Sequence, residues 1–168
     1  MSELLEIVKA KVQDKIGDAL LSVEQHQDFP VFIVAKDELK NTLRFLKEDP
    51  DMGFHFLTTM CGIHYPELPA EQEFWVMYQL HDMPRNRRIR VKAFMSRGDM
   101  DVPTVSDLWP TANWMERQEY DFFGFNFTGH PNLVRILNMD EMNYFPMRKE
   151  YPLEDLQRDD KTDKYFGR

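Results

Sequence analysis

Apolar and polar positions follow two periods along this chain, and each change of period marks an element. Leu4, Val8, Val12, Ile16 and Leu20 recur at roughly fourfold spacing, which predicts a helix opened by Ser2 and ended or frayed at Gly17. Leu20 to Gln25 and Phe29 to Val34 predict two short strands joined around Gln27-Asp28. Asp37 stands where it would cap a second helix with Leu39, Thr42, Leu43 and Leu46 on one face. Asp49-Pro50 stops that helix, because proline cannot continue it and restricts the residue before it. Phe54 to Ile63 predicts the next strand, and Tyr65 to Pro69 a loop.

Strict alternation follows. Phe74, Val76, Tyr78 and Leu80 share one side of a strand, and Asp82 to Asn86 form a turn. The return strand sets Ile89, Val91, Ala93 and Met95 against Arg88, Arg90 and Lys92 on its other face. Thr104 and Asp107 have the spacing of a capping box ahead of Pro110. The next helix is expected from about Thr111 to Phe123, with Gly124 as its left-handed terminal residue. Its apolar residues cover most of the circumference, and Glu116 and Glu119 fall within the apolar arc beside Met115 and Phe123. A helix of this kind is buried on most sides. The sheet covers one side, which leaves the other for a partner chain. Arg117 and Asp121, at i and i+4, are expected to pair, and Glu116 to face a charge elsewhere in the fold.

Phe125 and Phe127 then alternate with polar residues, Gly129-His130-Pro131 predicts a turn, and Leu133, Ile136 and Leu137 form an apolar patch. From Asn138 onward no period is sustained. The expectation is an α+β domain over residues 1–137, with a mostly antiparallel sheet of about five strands and two to three helices. Residues 138–168 are expected to be an extended C-terminal arm packing on partner subunits, with Met139 to Leu156 ordered there and the last dozen residues disordered in isolation.

Composition narrows the function classes. At 168 residues the chain is long enough for one self-sufficient core, and its net charge of −8 argues against nucleic acid as a partner. The single cysteine, Cys61, excludes a disulfide framework and any iron–sulfur or thiolate zinc site built from this chain alone. A reducing compartment is expected. Apolar runs reach about five residues against the roughly 20 that span a bilayer, and the amphipathic N-terminus does not read as a secretory signal. Eleven Met with 13 Phe, 6 Tyr and 3 Trp exceed what the core requires, and such residues enrich interfaces. Arg85, Arg87, Arg88, Arg90, Lys92 and Arg97 lie between Pro84 and Gly98 with no acid among them. They read either as a solvated sheet face or as a docking surface for an acidic partner.

Catalytic signals are weak. No two of His26, His55, His64, His81 and His130 share a metal-ligand spacing, and there is no glycine-rich phosphate loop or nucleophile elbow. A free-standing hydrolase or metal enzyme would need His130 with Glu116, Glu119 and Asp121. The simpler reading of His130 is a turn histidine bonded to backbone. No catalytic, cofactor-binding or metal-binding residue is assigned.

Trp114, Glu116-Arg117, Tyr120-Asp121, Phe123-Gly124, Gly129-His130-Pro131, Leu133, Arg135-Ile136-Leu137, Pro146, Arg148-Lys149 and Tyr151-Pro152 occur in that order. Together they resemble the signature of the C-type subunit of NADH–quinone oxidoreductase, the 30 kDa subunit of the peripheral arm of respiratory complex I. A weaker likeness covers the preceding hairpin and Leu108 to Asn113, and residues 1–27 and 157–168 lie outside it. Gln118, Val134, Met147, Glu150 and His64 stand where the family usually carries other residues.

The resemblance implies a structural subunit without a redox centre, in a complex that passes electrons from NADH through FMN and iron–sulfur clusters to quinone and pumps protons. Those cofactors belong to partner subunits. The expected partners are the D-type subunit at the quinone site and the B-type and I-type iron–sulfur subunits. Quinone is reached only indirectly, and the membrane only through the complex, on the cytoplasmic side of the bacterial inner membrane. Trp114, Glu116, Arg117, Tyr120, Asp121, Gly129, His130, Pro131, Arg135, Arg148, Lys149 and Tyr151 are the expected partner-binding residues. The alternative is the equivalent subunit of a membrane-bound hydrogenase or of a quinone oxidoreductase fed by another donor.

Overall fold

The computed structural model describes residues 3–26 and 29–151. The proposed Ser2 cap, the Gln27-Asp28 turn and the arm beyond Tyr151 therefore lie outside the described residues. In chain order the elements are α1 (Glu3–Ile16), β1 (Leu20–His26), β2 (Phe29–Val34), α2 (Leu39–Glu48), β3 (Phe56–His64), β4 (Phe74–Asp82), β5 (Arg87–Met95), β6 (Asp101–Pro103), α3 (Ala112–Phe123) and β7 (Asn126–Thr128). Gly17 ends α1 at φ 54°, a conformation that costs glycine little.

Five strands form one sheet in the order β1-β2-β5-β4-β3, an α+β arrangement. Three of its four pairings are antiparallel, as the short connections imply. The fourth is parallel, with Phe32 beside Val91, so the sheet is mixed. Residues 35–86, which include α2 and the strands β3 and β4, separate β2 from β5. That is enough chain to return β5 in the same direction as β2. A small second sheet pairs β6 with β7 in parallel, Val102 beside Phe127.

The core lies on one face of the large sheet. Phe74, Val76, Tyr78 and Leu80 of β4 and Ile89, Val91 and Ala93 of β5 are fully buried there. Against them pack Val8 and Val12 of α1, Leu39, Leu43 and Leu46 of α2, and Ala112 and Phe123 of α3. The hydrophobic period thus selected the buried side correctly at Val8 and Val12 of α1 and in α2, β4 and β5.

Two expected caps do not form. Asp37 sits inside a 3-10 turn, Lys36–Glu38, and Glu38 precedes α2 without a side-chain cap bond. Thr104 turns away from the Asp107 position to bond Ser106 and Glu116. Asp107 instead pairs with Lys40 at 2.9 Å, because α2 presents a cation where the capping box had only a backbone amide to offer.

Candidate functional site

The signature stretch forms α3 and a returning loop that wraps the end of the helix. Three acids of α3 fasten it in three directions. Glu116, fully buried, accepts hydrogen bonds from the Thr104 hydroxyl and, at 2.7 Å, from the Val105 N–H, which ties α3 to the segment after β6. No cation bonds it among the described residues; a hydroxyl and an amide do so instead, with Lys40 attracting it from farther off. Glu119 accepts from the Gly62 N–H at 2.5 Å and ties α3 to β3. Burial pushes both carboxyls up to about 7, against the opposing pull of those donors.

Asp121 is different. It accepts the N–H groups of Ile136, Leu137 and Asn138 at 3.1, 2.8 and 2.9 Å and pairs with Arg135 at 2.6 Å. Burial alone would raise it. The bonds from Asn138 and Leu137, and then the Arg135 guanidinium, overcome that and hold it well below the usual carboxylate range.

The expected Arg117–Asp121 pair does not form. Arg117 donates to the carbonyls of Val134 and Arg135 at 3.0 and 2.9 Å, while its guanidinium lies 5.1 Å from the Trp114 ring. The two charges grip opposite polarities of one loop backbone: Arg117 takes its carbonyls and Asp121 its amides. Three convergent N–H groups and a guanidinium outcompete a single exposed i, i+4 partner, which is worth only about 0.5 kcal/mol.

Two further arginines fold the returning chain back onto the helix. Arg135 bonds the Asp121 carbonyl at 3.0 Å and the carbonyls of Met142 and Tyr144 at 2.7 and 3.1 Å. Arg148 donates to the Phe123 carbonyl at 2.7 Å and lies over the Phe145 ring at 4.6 Å. Gly124, at φ 80°, leaves the space that this packing fills: a Cβ there would stand 2.6 Å from Phe145 and 2.7 Å from Arg148.

Farther on, the Lys149 N–H donates to His64 Nδ1 at 2.9 Å. That leaves His64 Nε2 as donor to Glu73, also at 2.9 Å. Glu73 and Glu150 both hold Arg97, at 2.7 and 2.6 Å, which closes a chain of charges from the arm to β4. The period of 138–151 gave no sign of these contacts, and His64 carried no sequence signal for its part. Gly62 did carry one, because a lone glycine inside a strand marks close approach. A Cβ there would stand 2.6–2.7 Å from Glu119, Phe123 and Phe125.

His130 is a turn residue bonded to backbone. Its Nδ1 accepts from the Asn132 N–H at 3.0 Å, so Nε2 is the donor to the Asn113 carbonyl at 3.1 Å. Both ring nitrogens are thus occupied; Glu116 lies 3.9 Å away, and Asp121 and Glu119 are engaged elsewhere. Among the described residues no three His, Cys, Asp or Glu side chains gather as metal ligands.

The proposed partner-binding residues therefore divide. Glu116, Asp121 and the His130 side chain are buried within the chain, while Arg135 and Arg148 are largely covered. Tyr120 packs edge-on against Phe145 at 6.3 Å, and Arg117 is half-buried. Trp114, Gly129, Pro131, Lys149 and Tyr151 remain exposed, Tyr151 beside Tyr144 at 5.0 Å. Seven of the twelve exposed large apolar side chains among the described residues fall between Trp114 and Tyr151, with Leu137 at 61% and Met139 at 69% exposure. The polar residues hold the shape, and the apolar ones face outward.

A family model described as the respiratory-chain NADH dehydrogenase 30 Kd subunit matches residues 32–157. The C 2 subunit of NADH-quinone oxidoreductase from Rhizobium etli (strain CIAT 652) is 39% identical over 147 residues, covering 86% of this chain and 76% of that protein. The C subunit of NADH-quinone oxidoreductase from Geotalea uraniireducens (strain Rf4) is 33% identical over 161 residues, 95% of this chain and 96% of that one. Among solved structures, the trypsin-resistant fragment (1-134) of Nqo5 superposes with a TM-score of 0.64 at 30% identity, covering 77% of this chain and 96% of the fragment. A chain of the membrane-bound sulfane sulfur reductase, an archaeal respiratory membrane complex, superposes with a TM-score of 0.72 at 25% identity, covering 90% of this chain and 87% of that one.

Proposed function

The chain belongs to the family of the respiratory-chain NADH dehydrogenase 30 Kd subunit, and we propose that it acts there as a structural subunit of the hydrophilic arm. Its task is to hold neighbouring subunits in fixed relative positions, while FMN and iron–sulfur clusters carried by those neighbours pass electrons from NADH to quinone. The chain carries no redox centre itself. Its docking surface is the outward side of α3 and of the loop it grips, set against the D-type subunit at the quinone site and the B-type and I-type iron–sulfur subunits. The complex lies on the cytoplasmic side of the inner membrane and translocates protons.

One observation carries this reading. Glu116, Arg117, Asp121, Arg135 and Arg148 of the signature are bonded inside the chain, and Trp114, Val134, Leu137 and Met139 stand exposed around them. Several large apolar side chains left exposed on one bonded frame are the usual mark of a docking site. In this reading the chain reaches the membrane through its partners; no helix among the described residues is long and apolar enough to cross one. An other-donor complex is the weaker reading, because the relatives of higher identity are NADH-quinone oxidoreductase subunits.

Leu137→Asp and Trp114→Ala test the proposal. Both residues are exposed, so the free chain is expected to keep its stability within about 0.5 kcal/mol. On native gels of membranes, both variants are expected to deplete the full complex. Normal assembly and turnover in both would refute the assignment of this surface.

A further inference from the structure

The core-facing side of the five-stranded sheet is covered by all three helices, but the opposite side has its own composition. Strand register places Ile33, Lys92, Met77 and Cys61 in one row across β2, β5, β4 and β3. Trp75 and Phe94 stand directly opposite each other in the row beside it, ring to ring at 5.2 Å. Val31 and Ile33 are buried on this face, yet neither belongs to the core cluster that the helices complete. Arg90 and Lys92 of β5 stand opposite them in the register, and the aliphatic stems of such residues commonly lie along apolar surface.

Of the six basic residues noted in the sequence, three are used within the chain. Arg85 and Arg87 bind Asp82 and the carbonyls around Asp51, and Arg97 holds Glu73 and Glu150. The other three, Arg88, Arg90 and Lys92, project from the outer face of β5 and make no ion pair among the described residues. Arg90 bonds the Gln79 amide oxygen at 3.1 Å and lies over the Phe29 ring at 4.9 Å.

Lys92 is the unusual one. The residue is only 6% exposed, and its ammonium makes no hydrogen bond among the described residues, only a contact 4.5 Å from the Trp75 ring centre. Burial lowers its affinity for a proton. Glu24, the acid that opposes that effect, is already bonded to His26 at 2.7 Å. A nearly buried cation without a hydrogen-bond acceptor, set in an aromatic and aliphatic surface, is costly unless something completes it.

We propose that the outer sheet face is a second interface, separate from the α3 surface, and that its occupant is a neighbouring subunit presenting a carboxylate among apolar side chains. The carboxylate pairs with Lys92, and its flanking apolar groups cover Trp75, Phe94 and Met77. Arg88 and Arg90 at the rim steer the approach of an acidic segment. The complementary chemistry is protein rather than anionic lipid. The chain's net charge of −8 opposes a negatively charged bilayer, and three basic residues beside an aromatic pair fall short of the roughly four to eight that make a lipid-binding cluster.

Zero-length carbodiimide cross-linking of the purified, assembled complex, read by mass spectrometry, tests this. An amide between Lys92 Nζ and an Asp or Glu of another subunit is expected. Lys92→Glu is expected to lower the fraction of this chain retained in the complex by about tenfold. Lys92→Met should leave the melting temperature of the free chain unchanged or higher while also weakening retention. Lys92 linked only within this chain, or to a second copy of it, would overturn the proposal, as would equal retention of the wild type and both variants. Lys92-dependent binding of the free chain to phosphatidylglycerol vesicles would also overturn it, in favour of a lipid surface. A cross-link confined to this chain inside an intact complex leaves the α3 reading standing, whereas a chain absent from every such complex overturns both.

Discussion

At Asp121 and Glu116, two acids of one helix, the same burial has opposite outcomes because different groups surround them. Asp121 has three N–H donors and a guanidinium, and it stays charged. Glu116 and Glu119 have fewer donors and no cation at bonding distance, so burial dominates and raises both to about 7. The linkage to stability follows in sign. The depressed Asp121 contributes stability above its unfolded value near pH ~3.9, which is lost as pH falls through its folded value. The raised glutamates contribute stability that is complete below their unfolded value, about 4.3, and lost as pH rises through about 7. The melting temperature of the purified chain is therefore expected to fall between about pH 4 and pH 7. Glu116→Gln combined with Glu119→Gln should flatten that decline, because the amide keeps the acceptor and cannot ionise. An unchanged slope in the double variant would show that the glutamates are not its source. None of this was legible in residue spacing. The helical period placed both glutamates in the apolar arc, but their donors, Thr104, Val105 and Gly62, come from distant segments.

At the scale of elements, the seam between α3 and β3 depends on a missing side chain. Gly62 lets the Glu119 carboxylate and the rings of Phe123 and Phe125 approach the strand backbone. Gly62→Ala would place a methyl group 2.6–2.7 Å from all three. Either the helix moves outward or the rings leave their rotamers, at a cost of about 1–3 kcal/mol. Urea unfolding is expected to show that loss, with an unchanged dependence on denaturant. A neutral Gly62→Ala would mean that the seam adapts. The same reasoning explains why the i, i+4 rule failed for Arg117 and Asp121. That rule compares two side chains on a bare helix, and here a loop with free amides and carbonyls lay within reach of both. Gly124 and the Gly129 turn were legible, because a positive φ is a local demand that glycine meets.

For the whole molecule, the relation of residues 138–151 to the rest of the chain carries its own prediction. Among the described residues, none after Phe127 belongs to the buried core cluster, and Leu133 is the one partly buried apolar residue packed on it from beyond. Removing everything after Leu137 should therefore leave a sheet and helices that still unfold cooperatively. It would also remove the bonds of Arg148 to Phe123, Met147 to Phe122, Lys149 to His64, Asn138 to Asp121, Arg135 to Met142 and Tyr144, and Glu150 to Arg97. At about 1 kcal/mol for each neutral bond and more for each charged one, a loss of roughly 5 kcal/mol or more follows. Denaturant titration followed by circular dichroism checks it. A truncated chain without a cooperative transition would make the arm part of the folding unit.

The sequence by itself determined the helices and the strands of the large sheet, and the buried faces of α2, β4 and β5, since alternation and helical period respond to one core and are written locally. It also determined the special glycine positions and the family signature between Trp114 and Tyr151. Tertiary structure alone decided the parallel pairing of β2 with β5, because strand order depends on which distant edges meet. It decided the partners of the buried acids and the return of 138–151 onto α3, each a competition among groups far apart in the chain. It also decided that Lys92 would stand beside Trp75 without an acceptor among the described residues, for a neighbour's charge cannot be read from a strand's own alternation.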